Sequence, residues 1–254
     1  MKITDKIELI NGDCLIEMQN IKDESIDMIL CDLPYSITNC KWDIIIPFDK
    51  LWEQYERIIK PNGAIVLTAL QPFTSFLIMS NIKLFKYEWI WKKSHATGHL
   101  NSKKQPMREH ENICIFYKKQ CTYNPQMIEK NYLDKRTKSG QNKKVDIYNK
   151  FTKVERTIDV KLGFPKTIQY FKTPFKGGEA GLHPTQKPIA LMEYLIRTYT
   201  NKNEIVLDNT MGSGSTGIAC INTNREFIGI ELDTEYYDKA VQRIKDHVTK
   251  QKLF

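Results

Sequence analysis

Two acid-tipped stretches carry side chains whose types and spacing could do chemistry. In Ile29-Leu-Cys-Asp-Leu-Pro-Tyr35 an apolar run ends at Asp32, Leu33, Pro34 and Tyr35, where proline cannot continue a strand's hydrogen-bond ladder. A carboxylate and an aromatic ring are thereby set at a strand's carboxyl end, the edge at which open α/β sheets bind ligands. The second stretch is a strand, Glu204–Asp208, a glycine turn, Asn209–Gly214, a helix, Ser215–Asn222, and a strand, Phe227–Glu231. Gly212 and Gly214 let backbone approach a ligand closely, and Glu231, 19 residues beyond Gly212, can take two hydrogen bonds from ribose hydroxyls. Taken singly, Asp32 could cap a helix, Tyr35 could cover the sheet edge, and the glycines could form a plain tight turn.

The residues after the glycine turn narrow the choice of its ligand. Ser215-Thr-Gly217 breaks the GxGxxG spacing that seats a pyrophosphate. A sulfonium cofactor needs no such cradle and gains from nearby carboxylates, here Asp208, Asp32 and Asp13.

The elements that must position these groups alternate. Lys6–Ile10 reads as a strand ending at Asn11-Gly12-Asp13, with Asp13 suited to cap a short helix over 14–18. After the loop Thr38–Ile46, Leu51, Trp52, Tyr55, Ile58 and Ile59 fall at helical spacing, and Lys60-Pro-Asn-Gly63 stops that helix. Ala64–Thr68 is a buried strand and Pro72–Asn81 a helix. This alternation predicts a parallel sheet with crossover helices. Phe85–Trp91 and Glu111–Tyr117 read as an antiparallel edge pair, and the polar Lys92–His110 between them is long enough for a functional flap. Pro188 opens a helix through Ile196, and Tyr236–Val248 is the last helix.

Formal net charge is +8, and all of the excess lies in one segment. Residues 118–176 carry 15 Lys and Arg against 5 Asp and Glu, interleaved with aromatic residues. A polyanion partner is the expectation, with an inserted module rather than more sheet. The six cysteines form no CxxC pair, which suits a reduced, cytoplasmic chain, and no apolar run approaches the roughly 18 residues of a membrane span. His95, His99, His110 and Cys114 do not read as a metal site, because Gly98 spoils a helix and the last two fall on a strand.

DLPY at 32–35, the Gly12-Asp13 strand tip, HPTQKP at 183–188, DNTMGSGSTG at 208–217 and GIEL at 229–232 together resemble the amino-directed DNA methyltransferases of the circularly permuted, beta type. The resemblance spans residues 7–117 and 181–244 and implies a Rossmann-like α/β methyltransferase fold. Residues 1–117 would be the catalytic half, 118–180 an inserted target-recognition region and 181–254 the cofactor-binding half. It implies S-adenosylmethionine as cofactor, double-stranded DNA as partner and no metal, in a family whose members often dimerise.

By that resemblance Asp32, Leu33, Pro34 and Tyr35 are catalytic. Asp13, His183, Thr185, Lys187, Asp208, Thr210, Met211, Gly212, Gly214 and Glu231 bind the cofactor, with His183, Thr185 and Lys187 near its methionine end. Leu33 replaces the commoner proline, and Asn209-Thr210-Met211 stands where the family often has Pro-Phe.

The implied reaction is methylation of an exocyclic base amine. Asp32 and a neighbouring backbone carbonyl would accept the two amino hydrogens, with no covalent intermediate, on a base flipped out of the duplex onto Tyr35. An Asp-first tetrapeptide goes with adenine N6 in this family. Cytosine N4 is the alternative, followed by an RNA or protein amine and then by a non-enzymatic nucleic-acid-binding module.

Overall fold

The computed structural model describes residues 1–36, 44–129, 162–174 and 186–251. They fall into two units, Met1–Asn124 with Thr167–Phe254, and Pro125–Lys166. Of the small unit, two short strands are described, β7 (Ile128–Glu129) and β8 (Leu162–Gly163), paired antiparallel.

The large unit is built on a nine-stranded sheet. In chain order its strands are β1 (Lys2–Thr4), β2 (Ile7–Asn11), β3 (Ile26–Asp32), β4 (Ile59–Ala69), β5 (Phe85–Thr97), β6 (Arg108–Phe116), β9 (Ile168–Tyr170), β10 (Ile205–Asp208) and β11 (Glu226–Glu231). Their spatial order is β1-β2-β11-β10-β3-β4-β6-β5-β9. The five strands from β2 to β4 run parallel, and β6 and β5 add an antiparallel edge. From β3 the chain crosses through α2 (Phe48–Ile58) to β4 on one side, and from β10 through α5 (Ser215–Thr223) to β11 on the other. The strand order therefore reverses between β3 and β10, and a ligand crevice opens at such a reversal.

Side-chain alternation divides the core into two layers. Met28 and Leu30 face α4 (Ile189–Tyr199), α5 and α6 (Thr234–Gln251), while Ile29 and Cys31 face α1 (Cys14–Glu17), α2 and α3 (Phe73–Ser80). Parallel strands covered on both faces read as continuous apolar runs, as β3 does. Helix α2 buries Leu51, Trp52, Tyr55 and Ile58, one face of a 3.6-residue period. Each such side chain, removed from water, contributes about 1.5–3 kcal/mol before entropy is counted.

Three elements run differently from the sequence expectation. Helix α2 ends before Lys60 as expected, but β4 begins directly at Ile59, so Lys60–Gly63 already lies in the strand. The expected flap is largely hairpin: β5 continues to Thr97, β6 starts at Arg108, and Lys92 pairs with His110. Here the inward position is held by Lys93, buried against Glu111, so hydropathy alternation could not reveal the extension. Ile168–Tyr170, inside the stretch expected as an insertion, pairs with β5 in the main sheet. Among the described residues no helix is long and apolar enough to cross a membrane.

Candidate active site

The carboxyl ends of β3 and β10 open into one cleft of about 410 Å³, lined by both acid-tipped stretches. Asp32 ends β3 and pairs in register with Thr68 on β4. Its Oδ1 accepts the Tyr35 hydroxyl at 2.5 Å and the Thr68 hydroxyl at 2.5 Å, and the two hydroxyls lie 2.9 Å apart. Its Oδ2 is bound by the Lys187 ammonium. Burial alone would push the Asp32 carboxyl up, but Lys187 and the hydroxyl donors outweigh it and hold the group below the usual carboxylate range. Burial and the charges of Asp32 and Glu111 push the Tyr35 phenol well up, so it stays a donor. Lys187 is 8% exposed, yet Asp32 and Glu111 outweigh that burial and raise its ammonium above the ordinary value.

Tyr35 packs its ring on Phe73, with centroids 5.0 Å apart, and the Lys187 ammonium lies 5.8 Å from the Tyr35 centroid. Leu33 is buried in the α2-side core, so its side chain anchors the strand end, and with Pro34 and Tyr35 it borders the cleft.

The glycine turn is tied to β3 by its polar residues. The Asn209 side-chain oxygen accepts the Cys31 thiol at 2.7 Å and the Tyr55 hydroxyl at 2.6 Å. Thr210 donates its hydroxyl to the Asp32 backbone carbonyl at 3.1 Å. Met211 fills the space beside Gly229, where an added Cβ would collide with its sulfur. Asn209-Thr210-Met211, the departure from the common Pro-Phe, thus packs the turn through hydrogen bonds and one buried thioether.

Gly212 and Gly214 take φ of 51° and 77°, left-handed values that glycine reaches without strain. Asp208 accepts the Thr210 backbone N–H at 3.1 Å and the Thr216 hydroxyl at 2.6 Å. Burial pushes its carboxyl up to about 7, against the lowering effect of those donors. Glu231 accepts the Gly212 N–H at 2.8 Å and the Asp233 N–H at 2.9 Å, while burial raises its carboxyl. Asp13 caps α1 by accepting the Leu15 N–H at 2.8 Å, and Gly12 beside it donates its N–H to the Glu231 carbonyl at 3.0 Å.

Of the residues named from sequence, Asp13, Asp32, Leu33, Pro34, Tyr35, Lys187, Asp208, Thr210, Met211, Gly212 and Glu231 line this one cleft. Gly214 sets the start of α5 behind it, and His183 and Thr185 lie outside the described residues. Thr68 and Glu111 also line the cleft and were not expected there. A hydroxyl closing a buried strand was the available signal for Thr68; an acid two residues before the apolar run Ile113–Phe116 was that for Glu111. Among the described residues no group of three or more His, Cys, Asp or Glu side chains could hold a metal ion.

The sequence also matches the N6/N4 methyltransferase family model, described as a DNA methylase, over residues 26–242. The chain belongs to this DNA methylase family. Its relatives include the DNA adenine methyltransferase YhdJ of Escherichia coli (strain K12), 29% identical over 93% of this chain and 82% of the relative. The type II methyltransferase M.HpaI of Haemophilus parainfluenzae is 26% identical over 93% of this chain and 73% of its own length. Among solved structures, the M1.HpyAVI–SAM complex is 27% identical, with a TM-score of 0.63 over 94% of this chain and 98% of that one. The family places a Rossmann-like methyltransferase fold on the doubly wound sheet described above.

Proposed function

We propose that this chain transfers the methyl group of S-adenosylmethionine to the exocyclic N6 of an adenine flipped out of duplex DNA. The observation that carries the reading is the shared cleft: the Asp32 carboxylate and the Gly212–Glu231 cofactor elements face the same space. A family model for N6/N4 DNA methylases and relatives named as adenine and type II methyltransferases support it.

The residues present fit the cofactor. Glycines at positive φ keep side chains off the turn, Glu231 offers a carboxylate for ribose hydroxyls, and Asp208 and Asp32 offer negative charge to a sulfonium. Asp13, Lys187, Thr210 and Met211 complete that part of the cleft. When bound, the cofactor supplies an electrophilic methyl group on sulfur.

The remaining work falls to the chain. A base amine is a poor nucleophile because its lone pair is delocalised into the ring. Asp32, held ionised, accepts one amino hydrogen, and the Leu33 or Pro34 carbonyl accepts the other, so that the nitrogen can pyramidalise. Thr68 and Tyr35 fix the carboxylate's orientation through Oδ1. The Tyr35 ring gives the flipped base an apolar face. The basic residues between 118 and 180 neutralise phosphates and carry target recognition. The order of tetrapeptide, insertion and glycine turn fits the circularly permuted beta type, with halves at 1–117 and 181–254. We place the enzyme in the cytoplasm and expect a homodimer.

Sequencing of unmethylated duplex DNA after exposure to the enzyme and cofactor, with modified-base detection, tests this directly. N6-methyladenine in a fixed sequence context is expected. N4-methylcytosine would move the target to the other base, and label appearing only on RNA or protein would overturn DNA as substrate. Asp32→Ala should abolish transfer while leaving duplex affinity in place.

A further inference from the structure

The charge line that begins at Asp32 continues past Lys187 into the sheet. The Lys187 ammonium binds Asp32 Oδ2 and lies 3.5 Å from Glu111 Oε2. The Lys93 ammonium meets Glu111 Oε1 at 2.5 Å. Lys93, Glu111 and Lys187 are each less than a tenth exposed. Glu111 Oε2 is buried and makes no hydrogen bond. A buried carboxylate oxygen left without a donor is costly, and it marks a position that some donor fills in another arrangement of the site.

Asp32 has one oxygen to spare. Oδ1 already accepts two hydroxyls, so an amine that binds Asp32 must take Oδ2, where it competes with the Lys187 ammonium. Lys187 cannot simply be expelled, since a buried ammonium without a partner is strongly disfavoured. We propose that Glu111 is a positioning residue, whose Oε2 draws the Lys187 ammonium from ion-pair to hydrogen-bond distance when the substrate amine displaces it from Asp32. A shift of under about 1 Å brings Nζ from its present separation to hydrogen-bond distance of Glu111 Oε2. No proton moves, and the four groups Lys93, Glu111, Lys187 and Asp32 sum to zero charge before and after. The Lys93 ion pair to Oε1 holds Glu111 in place while Lys187 exchanges partners. Lys187 thus holds the amine position on Asp32 and cedes it to substrate.

The inference rests on the amine-methyltransferase reading, and its test separates the two. Transfer from labelled S-adenosylmethionine to unmethylated duplex DNA is measured at saturating cofactor for wild type, Glu111→Gln, Lys187→Met and the double variant Glu111→Gln/Lys187→Met. Glu111→Gln is expected to lower kcat by about tenfold with cofactor KM within about twofold of wild type, because Lys187 then has only Asp32. With Lys187 already removed, Glu111→Gln should cost little further turnover, so the two losses are strongly non-additive, which a purely structural role for Glu111 would not produce. The same comparison on a Lys93→Met background removes the Lys93–Glu111 ion pair whole and leaves no buried cation orphaned, which guards against a folding defect. Full kcat in Lys93→Met/Glu111→Gln, or fully additive losses for Glu111→Gln and Lys187→Met, overturns the exchange. A wild-type enzyme that methylates no DNA overturns the underlying reading instead.

Discussion

The Thr210 hydroxyl and the Asp32 backbone carbonyl lie 3.1 Å apart and form a hydrogen bond. One side chain on the glycine turn therefore fixes the end of the strand that carries the Asp32 carboxylate. Thr210→Val keeps the shape and removes the bond. Turnover should fall about tenfold through misplacement, and the melting temperature by about 2–4 °C for a loss near 1 kcal/mol. Steady-state kinetics beside a thermal melt checks both.

Thr68 and Tyr35 donate to the same oxygen of Asp32 and help hold its carboxyl below the ordinary range. An acid limb of the rate profile set by Asp32 should lie correspondingly low. Removing either donor, by Thr68→Val or Tyr35→Phe, raises the proton affinity of Asp32, so the limb should move to higher pH. An unmoved limb in both variants would separate Asp32 ionisation from the rate.

Asp208 gives the opposite sign. Burial raises its carboxyl to about 7 in the folded chain, whereas an unfolded aspartate titrates near ~3.9. Between those values the folded state keeps a proton that the unfolded state has lost, so this group's stabilising contribution falls as pH rises through that interval. Asp208→Asn should therefore raise the melting temperature of the cofactor-free protein at pH 8 and change it little below pH 4. Wild-type cofactor affinity should rise through about pH 7 as the carboxylate forms beside a cationic ligand, which calorimetric titration across that range measures.

Gly214→Ala tests the turn itself. The added Cβ would sit at φ of 77° and 3.0 Å from the Ile244 methyl, with a cost of about 1–3 kcal/mol for the backbone strain. A drop in melting temperature with weakened cofactor binding is expected. Retention of both would show that the turn tolerates a side chain.

The parallel core was legible because its strands are buried on both faces and read as apolar runs broken by glycine or proline. Asp32, Asp208 and Glu231 stood out because each closes such a run. The same rule concealed Lys93 and Glu111: charged residues in a strand read as solvent-facing, and only their partners, far apart in sequence, let them turn inward. Thr68 was visible as the end of a strand but not as a neighbour of Asp32, since register across β3 and β4 is a tertiary fact. The short strands β1 and β9 lack an apolar run long enough to declare them, and they exist through pairing with β2 and β5.

Asn124 and Thr167, which flank the small unit, are both stitched into the large one. The Asn124 N–H donates to the Thr198 carbonyl at 2.7 Å, and the Thr167 carbonyl accepts the Ile90 N–H at 2.8 Å. The two ends of that excursion are thus fastened by main-chain bonds that depend on no residue between them. A different segment grafted at these points would meet the same anchors, while β3 and β10 stayed side by side. The scaffold is in this sense an exchangeable mount, whose cleft does not depend on what is carried between its anchors.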